Sequence, residues 1–214
     1  MDRSIILHSS HSGNTYCGRQ RAILPGWSWI CSKRHHTCDR REVSTRVVDG
    51  SDDDPDNADE NGRVFVVNKK RIFIRGGCWT FSDAMLRHSA QNYDDQIRHH
   101  AMMNLNLIRI WGGGTTERPE FYEACDRYGI LVWQEFWITA DCNHGQQNPE
   151  DHALFMRSAI DAIGLVRNHA SLALWVGGNE GPPPGDLDRR LAAAIGVNDP
   201  DREYVSYSTD PKAG

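Results

Sequence analysis

The chain has 214 residues, a net charge of −5 and a pI near 6.0. Its length suits one ordinary domain or part of a larger one, and so mild a charge argues against a nucleic-acid binder with a broad basic face. No apolar run reaches the ~18 residues of a membrane span. Met1-Asp-Arg-Ser-Ile-Ile-Leu-His8 has too short an apolar core for a signal peptide, which leaves the compartment open.

Residues 1 to about 45 carry no sustained period of 2 or 3.6, and residues 1–61 are expected to be irregular or poorly ordered. Cys31, His35, His36 and Cys38 lack the paired spacing of structural zinc sites, and no metal or cofactor is expected. Neither does the pattern of the six cysteines Cys17, Cys31, Cys38, Cys78, Cys125 and Cys142 point to a disulfide framework. The acidic run from Ser51 to Asn61 reads as a solvated loop, without the Gly and terminal Glu of a calcium-binding hand.

Regular structure is predicted from Gly62. Arg63–Val67 and Arg71–Arg75 flank Asn68-Lys69-Lys70 as a hairpin, and Gly76-Gly-Cys-Trp79 follows. A helix is expected with Asn92 as cap and Ile97, Ala101 and Met102 at helical spacing. Leu105–Trp111 is the next strand, ended by three glycines. Thr116 as cap, with Pro119 and Glu120 in the first turn, opens a helix stopped by Gly129. Ile130–Trp133 is a strand running into Gln134-Glu-Phe-Trp137. A polar loop from Asp141 to Glu150 leads to a helix over 151–167, with Leu154, Ile160, Ile163 and Val166 as its buried stripe. His99, His100, His152 and His169 read as helix-surface or capping residues. A short helix near 187–194 and a strand over 204–207 end the pattern.

The segment Ser171-Leu-Ala-Leu-Trp-Val-Gly-Gly-Asn-Glu180 organises the rest. Leu172–Val176 reads as a strand buried on both faces, broken by two glycines, and delivers Asn179 and Glu180 side by side at its C-terminal mouth. Strand and helix alternate every ~25–40 residues, which predicts parallel strands and an α/β architecture. About five strands are present, fewer than a closed eightfold barrel needs, so the chain reads as truncated. The expected division is an N-terminal segment, 1–61, and a partial barrel domain, 62–214.

Gly76-Gly-Cys-Trp79 with Ser82-Asp83, Arg109-Ile-Trp-Gly-Gly-Gly114, Glu117-Arg-Pro-Glu-Phe-Tyr122, Leu131-Val-Trp-Gln-Glu-Phe-Trp137 and Arg167-Asn-His169 through Glu180 occur in this order. Over residues 62–185 they resemble the β-mannosidase branch of glycoside hydrolase family two, in particular the glycoprotein endo-β-mannosidases and exo-β-glucosaminidases. The resemblance implies the N-terminal portion of a (β/α)8 TIM barrel and a retaining mechanism. It makes Glu180 the general acid/base, Asn179 the partner of the sugar 2-hydroxyl, and Arg109 the support of the nucleophile. Trp79, Asp83, Trp111 and Trp133 would line the sugar subsite, with Glu135 structural or substrate-facing. Cys78 stands where the family commonly has Asn.

Chemistry agrees: a glycosidic bond leaves with a proton, which one carboxyl must hold near neutral pH. Burial beside Trp175 and a nearby second carboxylate would raise Glu180 toward that range. The nucleophile implied by the resemblance lies on a seventh strand that this chain does not reach, so the polypeptide is expected to be inactive alone. Its expected partner is an oligosaccharide or glycoprotein glycan, with neither nucleic acid nor membrane. Three alternatives stand beside this reading: an exo-β-glucosaminidase-type hydrolase, a sugar-binding remnant without catalysis, and an unstable truncated product. The four tryptophans Trp79, Trp111, Trp133 and Trp137 are equally readable as core, and Arg109 as half of a structural ion pair.

Overall fold

The computed structural model describes residues 62–139 and 149–209, together with the backbone of three strand segments further upstream. In chain order the elements are β1 (Ser4–Ile5), β2 (Ser28–Trp29), β3 (Val43–Val48), β4 (Gly62–Val67), β5 (Lys70–Ile72), β6 (Gly76–Trp79), α1 (Ala90–Met102), β7 (Leu107–Ile110), α2 (Pro119–Tyr128), β8 (Leu131–Glu135), α3 (His152–Val166), β9 (Leu172–Gly178), α4 (Leu187–Asn198) and β10 (Glu203–Tyr207). The Cys31–Cys38 group, the acidic run and Asp141 lie outside the described residues.

Strands β6 to β10 form one all-parallel sheet in sequential order, each beside its chain neighbour. Sequential parallel strands joined by helices wind in one direction, as in a barrel, rather than doubling back. Among the described residues the sheet runs from a β6 edge to a β10 edge without closing, which matches the expected partial barrel of about five strands. No described helix is long and apolar enough to cross a membrane.

The sheet is covered on both sides. One face packs on the helices through Ile108, Ile110, Val132, Trp175, Phe121, Tyr122 and Ile163, all nearly inaccessible. Against the other, Phe65 and Val67 of β4 pack on Leu107, Leu131, Leu174, Val176 and Val205. Each such side chain stabilises the fold by about 1.5–3 kcal/mol through burial, so the antiparallel β3–β4–β5 sheet serves as the floor of the open barrel. Strand β3 corrects the expectation of irregular structure throughout 1–61. Its β-branched Val43-Ser-Thr-Arg-Val-Val48 pairs with β4, and the predicted boundary after residue 61 falls between the two.

The hairpin forms with a tighter turn than expected. Asn68 and Lys69 both have positive φ (51° and 62°), as a two-residue turn of the twist-matching type requires, and β5 ends at Ile72. Helix α1 starts earlier than predicted. Ser89, not Asn92, is its cap: Ser89 Oγ accepts from the Asn92 amide at 3.1 Å, while the Asn92 side chain accepts from the Ser89 amide. In α2 the cap is Arg118 rather than Thr116, because Pro119 already occupies the first helical position. Gly129 ends it at φ 72° as expected. The stripe of α3 is also rotated from the prediction: Leu154 and Ile160 are exposed, and Phe155, Met156, Ala159, Ala162, Ile163 and Val166 are buried. Small alanines carry part of the buried face, so the larger residues alone mislead. The glycines Gly177 and Gly178 continue β9 instead of breaking it, and α4 extends to Asn198.

Candidate active site

Parallel register decides which side chains share a face. Cys78 pairs with Arg109 and Arg109 with Trp133, whereas the next row runs Trp79, Ile110, Gln134, Trp175. Successive residues of a strand point to opposite faces, so the two rows serve different layers.

The first row builds a polar cluster at the C-terminal mouth of the strands. Arg109 Nε donates to Glu135 Oε1 at 2.5 Å, Nη2 to Asn179 Oδ1 at 2.6 Å, and Nη1 to Cys78 Sγ at 3.5 Å. Glu135 is 1% exposed, and its carboxylate also accepts from the Gly112 amide at 2.7 Å and Trp133 Nε1 at 3.2 Å. Gly112 is required for that approach, since a Cβ there would lie 2.6 Å from the Ile138 carbonyl oxygen. Burial pushes the Glu135 carboxyl up, against the pull of Arg109, Gly112 and Trp133. Burial also works against the Arg109 charge, yet Glu135 outweighs it and lifts the guanidinium above its ordinary value. These shifts oppose each other, one favouring a neutral carboxyl and the other the ion pair. The geometry favours the ion pair, because both carboxylate oxygens already accept from N–H donors.

Asn179 is buried, its amide donating to the Ile138 carbonyl at 2.8 Å. Glu180 follows in the left-handed region at φ 60°, with its side chain exposed. The predicted burial of Glu180 beside Trp175 is therefore corrected. Trp175 belongs to the helix-facing row, stacked on Phe136, and its Nε1 donates to Asp199 at 2.8 Å.

The expected sugar-lining set divides. Trp133 sits in the cluster and is half-buried. Trp79 does not line the mouth: it is 6% exposed in the strand–helix core, 5.0 Å from the Phe121 ring, and its Nε1 donates to Glu117 at 2.7 Å. Trp111 is half-buried and folds over its own loop, where a Cβ on Gly113 would meet its ring. Trp137 packs edge-on against Phe136 and Phe155. Asp83 is engaged in its own loop by Arg87 at 2.9 Å and the Met85 amide at 3.0 Å; the Arg87 guanidinium holds its carboxyl at about 2, well below the usual range.

One residue of the site, Ser208, and two buried polar residues of the helical layer, Glu117 and His169, escaped the sequence reading. Ser208, just beyond β10, accepts from the Glu180 amide at 3.1 Å, and nothing in the local pattern marks it. Glu117 was visible only as part of a motif; it is buried and accepts from Trp79 and from the Tyr93 hydroxyl at 2.5 Å. His169, expected at the surface or as a cap, is 1% exposed and pairs through Nδ1 with Asp126 at 2.7 Å. Among the described residues no group of three His, Cys, Asp or Glu is placed to hold a metal ion.

A cation that ties a buried carboxylate to an amide, beside an exposed carboxyl at a strand end, suits the handling of a polyhydroxylated substrate and the transfer of a proton to it. Comparison with known proteins leads the same way. The family model described as glycosyl hydrolases family 2, TIM barrel domain, matches residues 60–213. The chain is 58% identical over 136 residues to the mannosylglycoprotein endo-beta-mannosidase of Lilium longiflorum, covering 61% of this chain and 14% of that protein. It is 38% identical over 117 residues to the beta-mannosidase B of Thermothelomyces thermophilus, covering 54% and 14%. The chain thus spans about one seventh of the length of these curated relatives. Among solved structures, the beta-D-mannosidase of Dictyoglomus thermophilum superposes with a TM-score of 0.65 at 26% identity, over 80% of this chain and 22% of that one. The exo-chitosanase of Amycolatopsis orientalis shares the fold with the same TM-score at 23% identity, over 79% and 19%. With most of its length matched by the family model and its strands in barrel order, the chain belongs to the TIM-barrel domain of glycosyl hydrolase family 2.

Proposed function

We propose that the chain carries the acid/base portion of a retaining β-mannosidase-type active site acting on a glycan. The observation that carries this reading is the Arg109 guanidinium joining Glu135 to Asn179, immediately before Glu180. In this reading Glu180 protonates the leaving oxygen and later activates water, and Asn179 meets the sugar hydroxyl next to the reacting carbon. Trp133 offers an apolar face to a sugar ring. Arg109 organises the mouth by holding Asn179 and neutralising Glu135.

The attacking carboxylate of a retaining enzyme stands roughly 5 Å from the acid/base. Glu135 is unsuited to that part because both its oxygens are committed to N–H donors. The family resemblance implies a nucleophile on a seventh barrel strand, outside the five parallel strands described, and on that basis these strands by themselves are proposed not to turn over glycosides. Similarity to the lily enzyme, whose name specifies a mannosylglycoprotein, favours a β-mannosyl linkage in a glycoprotein glycan.

The test is hydrolysis of an aryl β-mannoside by this chain alone and by this chain joined to the later barrel strands of the lily enzyme. The reading expects no turnover from the first and turnover from the second. A correctly folded joined protein that cleaves neither β-mannosides nor β-glucosaminides would overturn it.

A further inference from the structure

Glu180 occupies a backbone region that residues other than glycine adopt at a cost, and it does so at the mouth of an otherwise regular strand. Such a conformation persists only where its surroundings hold it. Two neighbouring loops do so here. From the β8 side, the Ile138 carbonyl accepts the Asn179 amide at 2.8 Å. From the β10 side, a single residue, Ser208, supplies three bonds: its amide donates to the Gly178 carbonyl at 2.9 Å, its Oγ accepts from the Glu180 amide at 3.1 Å, and its hydroxyl donates to Asn179 Oδ1 at 3.4 Å. The last bond sets the sense of the Asn179 amide. Arg109 has only donors to offer, so the Asn179 atom that meets both Arg109 and Ser208 is the acceptor oxygen.

We infer that Ser208 is a positioning residue for the Asn179–Glu180 pair. It pins the Glu180 backbone and, together with Arg109, turns the Asn179 carbonyl oxygen inward so that its NH2 group is the part left to meet a substrate hydroxyl. This rests on the assignment of Glu180 as acid/base. Ser208 touches no reacting atom and acts through Asn179 and Glu180.

The test uses the full chain in solution. Hydrogen exchange of the Glu180 amide and the Asn179 side-chain NH2 resonances are followed in wild type, Ser208→Ala and Ser208→Thr. Loss of one hydrogen bond predicts about five- to tenfold faster exchange at Glu180 in the alanine variant and displaced Asn179 NH2 signals. Threonine, which keeps the hydroxyl, restores both. A merely structural role would leave the NH2 signals in place. Should Ser208→Ala fail to fold, Ser208→Cys, with its weak acceptor, is read in the same way. Unchanged Glu180 exchange and unchanged Asn179 signals in a folded variant would overturn the inference. Neither readout requires turnover, so failure of the hydrolysis test above would remove the proposed function and leave this result distinguishable from it.

Discussion

Glu117 and Glu135 are both buried, at 5% and 1% exposure, yet they lie on opposite sides of the same sheet and have different partners. Glu117, in the helical layer, accepts from two neutral donors, the Trp79 indole and the Tyr93 hydroxyl. Burial and Glu117 together raise Tyr93, which keeps that phenol a donor. Glu135, at the mouth of the strands, faces a guanidinium that is itself bound to Asn179. A carboxylate held by neutral donors fixes a core. One held by a cation with further hydrogen bonds to give organises a site. The difference teaches that burial of an acidic group does not by itself mark function; what its partner does next is the better guide.

The largest expected effect comes from breaking the charged member. Arg109→Met leaves Glu135 buried without its cation, and urea unfolding is expected to show a loss of about 3 kcal/mol. A loss below ~1 kcal/mol would mean that Glu135 is neutral and that the mouth resembles the core. Glu117→Gln keeps an acceptor oxygen for Trp79 or Tyr93, so it is expected to cost only about 1 kcal/mol by the same measurement. Equal losses for the two variants would erase the contrast between them.

The smallest effect sharpens the comparison with a third carboxylate. Asp83 is held by Arg87 at the surface, and its folded value of about 2 lies below its ordinary 3.8. A depressed acid contributes stability above its unfolded value and loses it as pH falls through the folded one. Its carboxyl resonance is thus expected to titrate near 2 in wild type and to return toward 3.8 in Arg87→Ala. The thermal midpoint at neutral pH is expected to fall only slightly in Arg87→Ala, because exposed pairs contribute little, and the difference from wild type should vanish as pH falls through the folded value. Titration near 3.8 in wild type would show that the pair does not persist in solution.

Much of the frame is legible in the chain itself. The alternation of apolar runs with capped helical stretches yields the parallel order, and Gly129 stops α2 where its conformational freedom is needed. The errors have a common physical source, since strand parity and distant partners are not written locally. Trp79 ends β6 and Trp133 sits in the middle of β8, and the one-residue offset of Trp79 from the row of Cys78, Arg109 and Trp133 sends its ring to the helices. Arg109 finds Glu135 across 26 residues and Asn179 across 70, contacts that no local pattern announces. Ser208 is further still from that signal, a serine after a short strand, significant only because β10 lies beside β9.

The central claim is that Glu180 is the proton donor, and leaving groups that differ in their need for a proton test it most directly. In the joined barrel, Glu180→Gln and its parent are compared on an alkyl β-mannoside, whose leaving oxygen requires protonation, and on a dinitrophenyl β-mannoside, whose does not. The account predicts that the variant loses cleavage of the alkyl substrate by at least about a hundredfold while still releasing dinitrophenol in its first turnover. Equal losses on the two substrates, or unimpaired cleavage of the alkyl mannoside, would contradict it.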